Sequence, residues 1–310
     1  GGPGSAEERA RRITPWFARA MLDDGEGAAE TCSGLAVGFS YASYGGVAEP
    51  FLPGFGTRLR DRLGLVAPWE CPSRPFEDAY TDAGTAGCGL AAVLTQLRAR
   101  LDFAGYSNRP IDIVCHSLGA RTTLTALSML AQRSSEDDTL SRIERVIMLS
   151  GACYWGQAAD ALANIRFAAP LKQPQFFNFT SRSDDVLRHF RRRRTASGPR
   201  RASTEMLGLD PMEARLIRDG RIIGWDGCPD YTLYSAFGEI YSDWIDIPLD
   251  ASQTKRWGQR NGLDLRGGPG HPFGDHWTSF THPGNWALYR NILHDREAWS
   301  VALLRRRMER

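Results

Sequence analysis

The stretch Ile111-Asp112-Ile113-Val114-Cys115-His116-Ser117-Leu118-Gly119-Ala120-Arg121 decides how the chain is read. An apolar, β-branched run ends in a serine flanked by small residues, and Arg121-Thr122-Thr123-Leu124-Thr125-Ala126-Leu127 continues as a helix. Strand, tight turn with a serine at its apex, then helix is the layout of a nucleophile elbow. Such a turn lifts the hydroxyl above a sheet and sets a helix N-terminus beneath it, where unpaired N–H groups can stabilise an oxyanion. The usual pattern is Gly-x-Ser-x-Gly, and Cys115 occupies the first glycine position. Strand and helix pass close together there, so a small side chain is tolerated. The same residues also describe an ordinary buried strand with an incidental serine, so the surrounding sequence has to supply an acid, a histidine and an oxyanion loop.

The rhythm on either side favours an α/β fold, a mostly parallel central sheet with helices on both faces. Upstream, residues 6–24 read as an amphipathic helix, 34–40 as a short strand breaking into a Gly-rich loop, 57–63 as a helix and 65–69 as a strand. Apolar residues at helical spacing (Leu90, Val93, Leu94, Leu97, Leu101) predict a long helix between Phe76 and Leu101. Downstream come a helix over 118–132, a charged loop over 134–138, a strand at 145–150, a helix at 156–166 and a strand at 175–180. Residues 188–243 interrupt this rhythm with an arginine-rich loop and a hairpin turned at Asp219-Gly220. A last strand at Trp244–Leu249 and closing helices from Pro283 to Arg305 complete the pattern. Residues 6–310 are therefore expected to form one domain with an insertion at about 188–243. Gly1-Gly2-Pro3-Gly4-Ser5 reads as a cloning remnant, which leaves open whether a native leader preceded it.

Composition bounds the function. With 310 residues, 42% hydrophobic and 24% charged, the chain can bury a large core. It lacks an apolar run of the ~20 residues that span a bilayer. The net charge of +2 gives no general drive toward nucleic acid or membrane surfaces. Six cysteines are scattered without a C-x-x-C pair, so no zinc site is expected, and a cytoplasmic location is the default.

An elbow serine needs its partners in the order Ser, Asp, His. Asp184, just past the strand at 175–180, lies on the sheet edge that carries Ser117. Its neighbour Asp185 is the alternative acid, with Asp184 then a helix cap, and both could be caps. Among six histidines, His276 is favoured as the base, because a Gly-rich loop precedes it and Trp277, Phe280 and Trp286 can wall it from water. His116 is expected to point elsewhere, His189 lies beside the arginine run, His282 ends a loop before Pro283, and His294 reads as solvated. A metal set of His271, Asp275 and His276 fits no familiar ligand spacing. Leu118 N–H, and Phe39 N–H after Gly38, are the expected oxyanion donors. Tyr41, Trp155 and Trp277, with Tyr154, are candidates to line an apolar substrate pocket.

These pieces resemble the α/β-hydrolase superfamily, in particular a bacterial esterase- and lipase-like branch. The matching segments are Val37-Gly38-Phe39, Trp69-Glu70-Cys71-Pro72-Ser73, Tyr80-Thr81-Asp82, Cys115-His116-Ser117-Leu118-Gly119, Ser183-Asp184 and Asp275-His276-Trp277. Val37 stands where that branch usually has histidine, and Cys115 where it has Gly or Ala. The resemblance implies a cofactor-free serine hydrolase that cleaves a small-molecule carboxylic ester through an acyl-enzyme. The alternative is a catalytically silent protein of this fold that uses Arg188, Arg191 to Arg194, Arg200 and Arg201 to hold an anionic partner. Oligomeric state is not legible.

Overall fold

A computed structural model describes residues 37, 39, 74–134, 137–169, 173–188, 206–208, 217–218, 221–222, 233–234, 240–241, 243–267 and 275–308. The expected N-terminal helix, the second early helix, the strand at 65–69, Gly38, Tyr41, His189, His271 and the arginines from Arg191 to Arg201 lie outside these residues.

Four parallel strands form the central sheet in sequential order: β1 (Ile111–His116), β2 (Ile143–Leu149), β3 (Gln175–Thr180) and β4 (Trp244–Pro248). Helix α1 (Arg74–Phe103) precedes β1, and α2 (Gly119–Gln132) with the short α3 (Thr139–Arg142) carries the chain to β2. Helix α4 (Trp155–Ala168) links β2 to β3. After β4 come α5 (Ser252–Arg260), α6 (Asp275–Thr281), α7 (Pro283–His294) and α8 (Val301–Met308). A two-residue antiparallel ladder pairs Ile217 with Ile222 and Arg218 with Arg221, the strands expected on either side of Asp219-Gly220, which lies outside the described residues.

Strand residues alternate between two cores, as the pleat requires. Ile111, Cys115, Val146, Met148, Phe176 and Trp244 face α1, α2 and α4. Ile147, Leu149, Phe177, Phe179, Ile245 and Ile247 face α5 to α8. Phe177, Phe179, Ile245 and Ile247 are fully buried, each contributing roughly 1.5–3 kcal/mol over an exposed position. The chain is thus of the α/β class, with helices on both faces of a parallel sheet. Among the described residues, no helix is long and apolar enough to cross a membrane.

One expectation needs correction. Val93 is exposed, because α1 packs on α2 through Tyr80, Ala83, Gly87, Leu90, Ala91 and Leu94, a seam made partly of small residues. The short α3, for which no element was expected, follows the charged loop, and its Thr139 hydroxyl and N–H both bond Asp137. The loop expected before His276 lies outside the described residues, and His276 itself is on the first turn of α6.

Two buried polar side chains tie the layers together. On the α1 face, Asn178 donates to Asp246 at 2.6 Å and to the Leu207 carbonyl at 2.7 Å. On the other face, the Arg145 guanidinium donates to the carbonyls of Ile292, Arg296 and Trp299, satisfying acceptors at the end of α7 and in the turn that follows.

Candidate active site

The parallel strands place their C-terminal ends on one edge, and the site is assembled there. Ser117 follows β1 with φ at 53°, the left-handed region that costs an L-residue roughly 1–2 kcal/mol. Neighbouring bonds hold it there. Ser117 N–H donates to the Leu149 carbonyl at 3.0 Å, and the Ser117 carbonyl accepts from Ala152 at 2.8 Å and Ala120 at 3.0 Å. The elbow is therefore stitched to the end of β2. A Cβ added to Gly119 would lie 3.3 Å from the Cys115 Cβ, so the close passage is accommodated by glycine at 119 rather than at 115. Burial pushes the Cys115 thiol up to about 12, which keeps it protonated and inert beneath the serine.

Asp184 lies beyond β3, fully buried. Its loop is braced by Ser181 N–H to the Gly208 carbonyl at 2.9 Å and by Arg182 N–H to Asp250 at 2.8 Å, the latter just past β4. One carboxylate oxygen accepts from Leu187 N–H at 2.9 Å and caps the turn that follows. The other lies 2.7 Å from His276 Nδ1. The cap and the contact to His276, weighed as alternatives from sequence, are made by one side chain. Asp185 is exposed and bonds Val186 N–H.

His276 Nε2 is 3.0 Å from Ser117 Oγ. The imidazole is 3% exposed, so Nε2 lies largely shielded from water. A hydroxyl, an imidazole and a carboxylate so connected are arranged to activate the hydroxyl: the carboxylate fixes the Nδ1–H tautomer and leaves the Nε2 lone pair facing the serine. Leu118 is the N-cap of α2, and its N–H belongs to the set with no acceptor within the helix.

The remaining candidates are dispersed. The Phe39 ring packs against the α1 core, 3.7 Å from where a Gly89 Cβ would stand. That is about 13 Å of helix beyond Tyr80, which packs near Leu118. The structure therefore does not bring the Phe39 ring to the triad. Trp155 opens α4 and packs on the same core as Phe39, whereas Trp277 packs on the opposite one and stands 5.8 Å from the His276 ring, centroid to centroid. The two tryptophans therefore pack on opposite faces of the sheet. His282 caps α7 3.8 Å from Asp264, and His294 is exposed at the end of that helix.

The sequence reading missed two sets of neighbours. Leu118 borders a cluster of Tyr80, Ala152, Tyr154, Leu187 and Met206, an apolar wall beside the nucleophile. Tyr80 accepts from Tyr154 N–H at 3.0 Å and donates to Gln157, while Arg121 stacks 4.0 Å over its ring. The Tyr80-Thr81-Asp82 segment marked that region, but not which face of α1 it occupies. The second is His116, whose ring lies 4.8 Å from that of His276 rather than pointing away.

Among the described residues, no group of three or more His, Cys, Asp or Glu could hold a metal ion. No family model, no curated protein and no solved structure matches the chain.

Proposed function

We propose that the chain is a serine hydrolase of the α/β-hydrolase kind that cleaves a carboxylic ester through an acyl-enzyme. The observation that carries this reading is the continuous Ser117–His276–Asp184 relay, 3.0 Å and 2.7 Å long, built on a serine in the left-handed region. Strain of this kind persists where the surrounding structure enforces it, and it clusters at functional sites. Ser117 Oγ attacks the ester carbonyl while His276 Nε2 takes its proton. Asp184 stabilises the imidazolium, and collapse of the tetrahedral intermediate expels the alcohol, which takes the proton back from Nε2. Water then repeats the sequence on the acyl-enzyme and frees the acid and Ser117. Leu118 N–H supplies an oxyanion donor. The wall of Tyr80, Tyr154, Leu187 and Met206 beside Leu118 favours an apolar acyl group. This chemistry calls for no cofactor.

The test is a panel of p-nitrophenyl esters of increasing acyl length with wild type and Ser117→Ala. Turnover that Ser117→Ala abolishes supports the proposal. Absence of turnover across the panel, together with salt-sensitive binding of a polyanion, favours the silent binding protein instead.

A further inference from the structure

We propose that His116 is a positioning residue that clamps the backbone of His276, so that two consecutive residues of the elbow, His116 and Ser117, hold the same histidine at opposite ends. The inference rests on the hydrolase reading of the Ser117–His276–Asp184 relay.

His116 Nε2 lies 3.2 Å from the carbonyl oxygen of His276, while Ser117 Oγ lies 3.0 Å from the Nε2 of that histidine. In an extended strand, neighbouring side chains leave on opposite faces. His116 leaves β1 on the face covered by α5 to α8, where α6 carries His276, and Ser117 would leave on the other. The φ of 53° at Ser117 breaks that alternation and lets both side chains reach residue 276. The backbone strain at the nucleophile thus has a second consequence besides exposing the hydroxyl. It allows the strand to grip main chain and imidazole of the base at once.

The rest of the surroundings fit a clamp. The His276 carbonyl also faces the Ser279 hydroxyl at 3.4 Å, and Ser279 accepts from the Ser150 hydroxyl at 2.9 Å. Ser150 follows β2 and is itself in the left-handed region at φ 47°. The anchoring carbonyl is thereby tied to the ends of both β1 and β2. The His116 ring packs against Phe280 at 4.5 Å and Trp277 at 5.5 Å, both on α6, which fixes its orientation.

Chemistry agrees with the geometry. Desolvation and the nearby His276 hold the pKa of His116 well below the usual histidine value, although the bond to the His276 carbonyl pulls the other way. The ring is therefore neutral at ordinary pH. To donate to a carbonyl it carries its proton on Nε2. A neutral donor anchors the base without placing a positive charge beside the imidazolium that must form on His276. Reaction geometry tolerates only small displacements of such a group, so looser anchoring lowers turnover more than substrate affinity.

The test compares wild type, His116→Phe and His116→Gln in the full chain. Phenylalanine keeps an aromatic ring but has no donor, and glutamine restores a donor near the Nε2 position. Two readouts are taken: ester-hydrolysis kinetics, and the downfield NMR resonance of the His276 Nδ1 proton shared with Asp184. The clamp predicts a fall in kcat of about tenfold in His116→Phe with KM within about twofold, and recovery of most of the loss in His116→Gln. It also predicts a broadened or shifted His276 resonance in the phenylalanine variant and a near-native one in the glutamine variant. Unchanged kcat and an unchanged resonance in His116→Phe would overturn the clamp. If wild type hydrolyses no ester, the hydrolase reading alone falls and the resonance decides: loss with Phe and return with Gln upholds the clamp, and no change overturns it. Should His116→Phe fail to fold, His116→Met, also without a donor, carries the same comparison.

Discussion

Replacing Asp184 by asparagine separates the two tasks of that side chain. One oxygen accepts from Leu187 N–H and the other from His276 Nδ1, and only the second task involves proton transfer. In Asp184→Asn the amide oxygen can keep the cap, since asparagine caps helices about as well as aspartate. The amide NH2 then faces Nδ1, and the imidazole is driven to the tautomer with its proton on Nε2. Ser117 meets an N–H where it needs a lone pair. The expected loss is about 10³–10⁴ in kcat, or roughly 4–5.5 kcal/mol of transition-state stabilisation. Unfolding stability should change by no more than about 1 kcal/mol, because the cap survives. Asp184→Ala removes the cap as well and leaves buried donors unpaired, so it should also lose about 2–4 kcal/mol of stability. Initial-rate kinetics together with urea unfolding monitored by circular dichroism distinguish the two variants. A folded Asp184→Asn with kcat within tenfold of wild type would refute the reasoning. The companion Asp185→Asn, at an exposed carboxylate, should stay within about twofold of wild type. A large loss there instead would move the acid by one residue.

Other perturbations follow from the same geometry. Ser117→Gly and Ser117→Ala both remove the nucleophile, but glycine relieves the 53° φ, so in urea unfolding it should be the more stable of the two by about 1 kcal/mol. A Cβ at Gly208 would lie 2.3 Å from the Ser150 carbonyl carbon, so Gly208→Ala should cost about 1–3 kcal/mol. Gly156, in the first turn of α4 with open space around it, should accept alanine at no cost or with a gain of up to about 1 kcal/mol. His116 titrates below its ordinary 6.5 in the folded chain, so below about pH 6.5 the unfolded chain binds a proton that the folded chain refuses. Its contribution is complete above that pH and is lost as pH falls, by up to ~1.4 kcal/mol per unit. Urea titrations between pH 7 and pH 5 should show a shallower decline in His116→Gln than in wild type.

Sequence patterns carried the elements whose burial repeats with a period. β2, β3 and β4 carry apolar residues on both faces because both faces are covered, interrupted by the buried Arg145, Asn178 and Asp246, and α2 shows a clear apolar stripe through Leu124, Leu127 and Leu130. α5 was not expected. Its sequence Ser-Gln-Thr-Lys-Arg-Trp-Gly-Gln-Arg buries only Thr254, Trp257 and Gly258, so tertiary contact rather than periodicity holds it. The Ser117 and Asp184 positions were legible because each directly follows a strand, and His276 because it comes after the last strand, in the order such a relay needs. The role of Asp184 as both cap and acid was not, since a spacing of three residues cannot reveal which oxygen faces which donor. His116 was misplaced for a related reason. Strand alternation sends it away from Ser117, and only the left-handed turn at Ser117 makes the two side chains converge on His276.

Reaction of the native protein with a fluorophosphonate, followed by intact-mass and peptide mass spectrometry, asks whether Ser117 is the nucleophile. One phosphonyl adduct is expected, on Ser117, that disappears in Ser117→Ala and slows at least a hundredfold in His276→Ala. A folded wild-type protein left unmodified, or labelled at a serine other than Ser117, would contradict that assignment.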